Sequence, residues 1–160
     1  MPLTGSLQAK SIYISLNTRP QAGEYHWGLI LTDSHKNPVL YHATNRNGPW
    51  TFEARKAKPD QSMSLIVLIL VDKVKSHSRT KEIIESIPAD GSPSQRTGEF
   101  FTCRIWIKDV LIALHDYGEI TLPTDIDSLE TLAVRHGLRY APYAEGGYGA
   151  TVVNDAFRSG

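Results

Sequence analysis

The chain has 160 residues and a mass of 17.8 kDa, which is the length of one ordinary domain with a buried core. Hydrophobic residues make up 41% of it and charged residues 21%, a composition that excludes disordered, collagen-like and membrane-inserted proteins. Lys and Arg total 17, as do Asp and Glu. The formal net charge of zero therefore argues against a protein whose main task is binding nucleic acid or anionic lipid.

The single cysteine, Cys103, limits the chemistry further. One cysteine excludes an intramolecular disulfide, a multi-cysteine zinc site and a CxxC redox pair, and it suits a reducing compartment. Residues 1–10 carry no long apolar run, and the apolar stretch at 65–71 is too short for a membrane-spanning helix of about 20 residues. We therefore expect one cytoplasmic domain over residues 1–160, with no signal peptide or stable membrane anchor.

Short runs of β-branched and aromatic residues predict five strands in the first half of the chain. They cover residues 11–16, 25–33, 39–43, 50–53 and 65–74. The turn-forming segments between these runs suit an antiparallel meander. The run LIVLILV has no polar alternation, which predicts a central strand buried on both faces.

Helical periodicity begins in the second half of the chain. Residues 80–87 predict a short amphipathic helix that stops at Pro88, and a loop rich in Pro, Ser and Gly follows. The most regular helical pattern starts at Cys103, with Thr102 as its N-cap and Gly118 as its C-terminal stop.

A third helix is predicted over residues 126–136, ending at Gly137, and residues 150–153 predict a last short strand. The expected fold class is therefore α+β. It consists of an antiparallel sheet of about five to six strands packed against about three helices.

Cys103 is a candidate nucleophile because of its place at the start of the best-supported helix. Unpaired backbone N–H groups and the positive end of the helix dipole stabilise an anion there. A thiolate is the reactive form of cysteine, and the same N–H groups can receive the oxyanion of a tetrahedral intermediate. The alternative is a small buried hydrophobic residue, since Cys103 shares an apolar stripe with Trp106 and Val110.

His26 and His42 fall inside two neighbouring predicted strands. Antiparallel pairing through the turn at residues 34–38 can place both rings on one side of the sheet. Two imidazoles near a thiolate supply a base and an orienting partner, as in a cysteine triad. Each histidine taken alone also suits a structural role, and together with the cysteine they could offer three zinc ligands. We predict no metal, because the triad uses the same side chains without one.

Three segments resemble the permuted branch of the NlpC-type papain-like proteins. They are YHWG at 25–28, LYH at 40–42 and FTC at 101–103. The branch includes lecithin:retinol acyltransferase and the H-rev-type phospholipase/acyltransferases, and uncharacterised fungal proteins of the same broad class look similar. Its order His, His, Cys is the reverse of ordinary papain-like enzymes, and this chain has the permuted order.

The resemblance implies a permuted papain-like fold and a role for each matching residue. Cys103 would be the nucleophile, His26 the general base and His42 the residue that orients the base. Tyr25, beside the base, and Thr102, beside the nucleophile, would contact the oxyanion or the substrate. The chain reads TCRI where the acyltransferases usually read NCEH, and residues 150–160 form no hydrophobic anchor, so the resemblance does not extend to their lipid substrates.

The sequence thus predicts a cysteine-dependent hydrolase or acyltransferase. It would act without cofactor on the ester, thioester or amide of a small molecule or peptide, through an acyl-enzyme. One alternative is a non-catalytic binding, effector or accessory domain on the same scaffold. Another is a cofactor-free cyclase or isomerase that uses the two histidines as acid and base.

Overall fold

The structure is a computed structural model that describes residues 3–19 and 24–157. Within them it contains one six-stranded sheet and three α-helices, which confirms the predicted α+β class. The strands are Ser11–Thr18 (β1), Tyr25–Thr32 (β2), Pro38–Thr44 (β3), Thr51–Lys56 (β4), Leu65–Lys73 (β5) and Thr151–Val153 (β6). The helices are His77–Ser86 (α1), Cys103–Asp116 (α2) and Ile126–Tyr143 (α3).

The sheet has the strand order β4-β3-β2-β1-β5-β6, so the predicted meander holds only for the first four strands. β5 returns to the free side of β1, and β6 adds to β5 in parallel. β5 is therefore an interior strand with neighbours on both sides. Its burial on both faces is the physical reason for its unbroken apolar run, as the sequence predicted.

The two faces of the sheet are covered differently. The inner face packs against the helices, with α2 over β2 and β3 and α3 over β5 and β1. The outer face carries a smaller apolar cluster that includes Tyr13, Ile30 and Leu68, covered in part by residues near the N-terminus such as Leu3 and Leu7. Side chains along one strand alternate between these faces, so every second residue of a strand lies on the same face.

Helix α2 begins and ends as predicted. The Thr102 hydroxyl accepts a hydrogen bond from the Ile105 N–H, and Gly118 follows the helix with a φ of 77°. A left-handed φ at this position favours glycine and ends the helix. Cys103 is therefore the first residue of the helix, between its cap and its first complete turn.

Helix α1 begins earlier than predicted, at His77. The Ser76 hydroxyl caps it by accepting from the Arg79 N–H. The predicted start at residue 80 is wrong because the apolar residues that reveal this helix, Ile83 and Ile84, lie in its second half.

Helix α3 does not stop at Gly137 but continues to Tyr143. The glycine serves close packing, because a Cβ atom at this position would lie 2.9 Å from Tyr25 Cζ and 3.1 Å from Leu16 Cδ1. The helix thus presses its backbone against the sheet where β2 begins. None of the helices in the described part of the chain combines the length and the apolar content needed to cross a membrane.

The packing at Gly137 predicts the effect of adding one methyl group. Gly137→Ala should destabilise the fold by about 1 kcal/mol net, because overpacking costs about 1 to 3 kcal/mol and alanine returns about 1 kcal/mol of helix propensity. Urea denaturation measures this. Gly146→Ala is the matched control, since its Cβ would meet only the Tyr148 ring at 3.6 Å. A Gly137→Ala variant as stable as the wild type would contradict the packing described here.

Candidate active site

Cys103 is nearly fully buried between α2 and the inner face of the sheet, at 3% exposure. The backbone N–H of Trp27 lies 3.5 Å from its Sγ atom. The thiol therefore receives a backbone donor from β2 in addition to its position at the positive end of α2. Both features direct N–H groups toward the sulfur atom.

His26 and His42 are joined directly in a chain of hydrogen bonds. His26 Nε2 lies 2.7 Å from His42 Nδ1, with the two rings nearly perpendicular at 83°. His42 Nε2 lies 2.6 Å from Glu53 Oε1. The structure therefore brings the two predicted histidines together and adds a carboxylate to them.

Glu53 sets the direction of the protons in this chain. A carboxylate only accepts, so His42 Nε2 carries a proton and donates it to Glu53. In neutral His42 the Nδ1 atom is then an acceptor, and it takes its hydrogen bond from the Nε2–H of His26. This arrangement leaves the Nδ1 atom of neutral His26 without a proton, which is the requirement for a base.

Arg19 connects this chain to the thiol. Its Nη2 atom lies 3.3 Å from His26 Nδ1 and 3.5 Å from Cys103 Sγ. Cys103 and His26, both in the described part of the chain, form no direct hydrogen bond with each other. Both side chains instead contact this one guanidinium nitrogen. Because arginine only donates, its contact with His26 Nδ1 agrees with the tautomer that Glu53 imposes.

The thiol and the histidines approach each other from different faces of the sheet. A Cβ atom at Gly28 would meet Ser15, Leu40 and His42, which places these residues on the outer face together. Cys103 packs on the inner face beside Trp27. The two sets meet at the end of the sheet where β2 begins, since His26 is only the second residue of that strand.

Burial keeps both imidazoles uncharged near neutral pH. The pKa of His26 is lowered to about 4, mainly by removal from solvent and in smaller part by the nearby His42 and Arg19. Burial also lowers the pKa of His42, an effect that outweighs the opposite influence of Glu53. The hydrogen bond from His42 lowers the pKa of Glu53, whose carboxylate Arg46 also contacts at 2.7 Å.

A cleft of about 450 Å³ opens beside the thiol. Arg19, Glu24, Tyr25, Trp27, Thr102, Cys103, Arg104, Glu130 and Val134 line it. Arg104 is paired with Glu130, which also accepts from the buried Lys108. No carboxylate of the described residues forms such an ion pair with Arg19, so its charge faces the cleft.

Tyr25 and Thr102, the predicted oxyanion or substrate residues, both line this cleft. The Thr102 hydroxyl already caps α2 by accepting from Ile105. The Tyr25 ring packs against Gly137, and burial raises the pKa of its phenol. Tyr25 is therefore a wall of the cleft, and Thr102 holds the start of the helix in place.

Two residues of the site did not emerge from the sequence, Glu53 and Arg19. Glu53 pairs with His42 across β3 and β4, in the register set by the turn between those strands. That symmetry about the turn was a usable signal, because residues equally distant from a hairpin turn face each other. Arg19 gave no such signal, since it follows the last residue of β1 and has no partner in the strand register.

The two histidines do not converge on a common point with a third ligand. The part of the chain that the structure describes contains no group of three or more His, Cys, Asp or Glu side chains able to hold a metal ion. Two of the four ring nitrogens face each other, and a third faces Glu53. This arrangement suits proton transfer better than metal binding.

Residues 10–138 match the model of a family of unknown function, DUF6914. The match spans more than half of the chain, and the chain therefore belongs to that family. No curated protein and no solved structure matches it.

The proton arrangement predicts the tautomers of both histidines. At pH 7, long-range ¹H–¹⁵N spectra should show an unprotonated Nδ1 in each ring. Glu53→Gln should give a mixture of tautomers, because an amide can either donate to or accept from His42. Glu24→Gln, which removes a carboxylate elsewhere in the site, is the matched control. The assignment fails if the Glu53→Gln spectrum equals that of the wild type.

The lowered pKa of His26 predicts acid sensitivity. Its value is about 4 in the folded chain and 6.5 in the reference state. Between these values the unfolded chain binds more protons, so the free energy of unfolding falls as pH decreases from 6.5 toward 4. With allowance for partial exposure, His26 should account for about 1 to 2 kcal/mol of this loss.

Urea unfolding of wild type and His26→Gln from pH 4 to 7 measures this contribution. The variant should have the flatter pH dependence, whatever its stability at pH 7. His35→Gln removes a histidine from an exposed turn and should keep the wild-type slope. Equal slopes for His26→Gln and wild type would argue against a neutral His26 in the folded chain.

Proposed function

For this member of a family of unknown function, we propose a cysteine-dependent hydrolase or acyltransferase. Cys103 is its nucleophile, His26 its general base and His42 the residue that orients the base. One observation carries the proposal: the thiol at the start of α2 and the chain His26–His42–Glu53 meet at a single nitrogen of Arg19. The substrate is an ester, thioester or amide that fits the cleft of about 450 Å³.

The proposal includes the permuted papain-like architecture. Support comes from the order of the residues along the chain, with two strand histidines before a cysteine at the start of a helix. We also assign the reaction to the cytoplasm, since a single unpaired cysteine suits a reducing compartment.

The first step moves a proton from Cys103 Sγ to His26 Nδ1. Arg19 donates to both atoms in the resting state, so its guanidinium leaves His26 Nδ1 for this transfer. Its side chain is exposed and lines the cleft. The resulting imidazolium is stabilised through His42 by the Glu53 carboxylate, and the thiolate receives the Trp27 N–H.

The thiolate then attacks the carbonyl carbon, forming the C–S bond while the C=O electron pair moves to oxygen. In the first turn of α2 the Ile105 N–H donates to the Thr102 hydroxyl and the Trp106 N–H to the Thr102 carbonyl, whereas the N–H groups of Cys103 and Arg104 have no acceptor among the described residues and can stabilise this oxyanion. His26 returns its proton to the leaving alcohol, thiol or amine, and a thioester remains. Water or an acceptor, deprotonated by His26, cleaves that thioester and restores the thiol.

A non-catalytic binding domain is the second candidate. It is favoured by the contact of Arg19 with both reacting atoms, in place of a direct hydrogen bond between Cys103 and His26. In that case Arg19 would hold an anionic ligand in the cleft, and Cys103 would only line it. Chemistry at the sulfur separates the two candidates.

An activated ester tests the proposal directly. Intact-mass analysis after mixing with p-nitrophenyl acetate should show one acetyl group on Cys103, the single cysteine, followed by its loss with turnover. Cys103→Ala should form no adduct. His26→Gln should slow release of nitrophenol by at least about 100-fold, the usual size of general-base catalysis. The matched control, His35→Gln, should retain the wild-type rate. An acetylation rate that His26→Gln leaves unchanged would favour the binding domain instead.

A further inference from the structure

A second cavity, of about 410 Å³, lies on the outer face of the sheet. We propose that this outer pocket binds a small organic phosphate, a phosphoryl group carried on a compact apolar body. Strands β1 to β3 form its floor, and the segment from Arg55 to Ser62 forms its wall. It shares no lining residue with the cleft beside Cys103, so the proposal is independent of the function proposed above.

The charge of the outer pocket points to an anion. Arg55, Lys56 and Lys58 line it, and none of its lining residues is an aspartate or glutamate. Arg55 also lies 3.4 Å from Glu53 Oε1, so in a chain with no formal net charge Lys56 and Lys58 supply a local excess of two cations. Such an excess suits a doubly charged phosphoryl group better than a singly charged carboxylate.

A buried hydroxyl on the floor is the second, independent observation. Ser15 is 1% exposed, and its Oγ atom has no hydrogen-bond partner among the described residues. A buried hydroxyl without a hydrogen-bond partner destabilises a protein, so such groups are normally paired. Because Ser15 lines the outer pocket, a phosphoryl oxygen there can accept the bond that the protein does not supply.

Gly28 shapes this part of the floor. A Cβ atom at Gly28 would lie 2.7 Å from Ser15 Oγ and 2.9 Å from Leu40 Cδ1. The missing side chain therefore gives the Ser15 hydroxyl its space beside Leu40. The HWG motif of β2 thus contributes to both sites, with its histidine in the hydrogen-bond chain and its glycine in the outer pocket.

Apolar side chains complete the lining and define the body of the ligand. Ile30, Leu40 and Leu65 contribute to the floor and walls. Pockets of about 300 to 1,000 Å³ are typical for small molecules, and 410 Å³ lies near the lower end. The fitting ligand is therefore about the size of a phenyl phosphate, with the ring on the leucines and the phosphoryl group toward the lysines.

Phenyl phosphate is the probe for the test. Calorimetric titration of the full chain with phenyl phosphate should show one saturable site. In ¹H–¹⁵N NMR spectra of the same titration, the amide signals that shift should belong to Ser15 and residues 56–62. Phenol lacks the charge, inorganic phosphate lacks the ring and benzoate has a single charge. We expect each of them to bind at least about tenfold more weakly, which corresponds to about 1.4 kcal/mol.

Two variants separate binding from folding. Lys56→Gln with Lys58→Gln should weaken phenyl phosphate binding at least tenfold, and Ser15→Ala should weaken it several-fold. Lys75→Gln with Lys81→Gln removes the same charge from exposed positions elsewhere and should bind like wild type. Thermal unfolding without ligand should be unchanged in both double variants.

Three results would overturn the proposal. One is the absence of saturable phenyl phosphate binding at millimolar concentration. Another is equal affinity in the Lys56→Gln/Lys58→Gln variant and its control. The third is a set of amide changes centred on Cys103, which would place the anion in the cleft beside Arg19.

Discussion

The pairing of β3 with β4 places His42 opposite Glu53, and the candidate site depends on this register. Without the carboxylate, nothing decides which ring nitrogen of His42 carries the proton. The direction of the hydrogen bond between His42 and His26 is then also undetermined. A slip of one residue would move Glu53 to the other face of the strand. The site therefore depends on the β3–β4 hairpin, because the turn between these strands sets their register.

The charge states of Glu53 and of the two imidazoles follow from their surroundings. The hydrogen bond from His42 lowers the pKa of Glu53, and Arg46 at Oε2 and Arg55, 3.4 Å from Oε1, add to this effect. The imidazoles remain neutral because both are largely removed from water. A neutral His26 can take a proton but holds it weakly. A neighbouring thiolate changes that balance, since an opposite charge favours the protonated ring. The proton transfer and the ion pair therefore stabilise each other.

Most strands and helices could be predicted from the sequence, and so could the site residues that lie within them. Cys103 follows a capping threonine, and the parity of two neighbouring strands placed the histidines on one side of the sheet. The predicted end of α3 at Gly137 was wrong because a glycine in a helical pattern either ends the helix or permits close packing. Only the position of Tyr25 in space distinguishes them. Arg19 follows the last residue of β1, and the wall of the outer pocket continues past the end of β4, so no strand periodicity indicates what these side chains face.

The outer pocket and the hydrogen-bond chain share β4, and Arg55 belongs to both of them. Its guanidinium lies beside Glu53 and also lines the pocket. An anion in the pocket would compete with Glu53 for that guanidinium. A weaker contact to Arg55 leaves Glu53 a stronger acceptor for the Nε2–H of His42, because less of its charge is compensated. Glu53 is only partly buried, at 28% side-chain exposure, so solvent screens this coupling and keeps it small. The two sites can thus communicate through one side chain while their lining residues stay separate. For this reason Lys56 and Lys58, which form no part of the hydrogen-bond chain, report on the pocket alone, whereas a change at Arg55 would report on both.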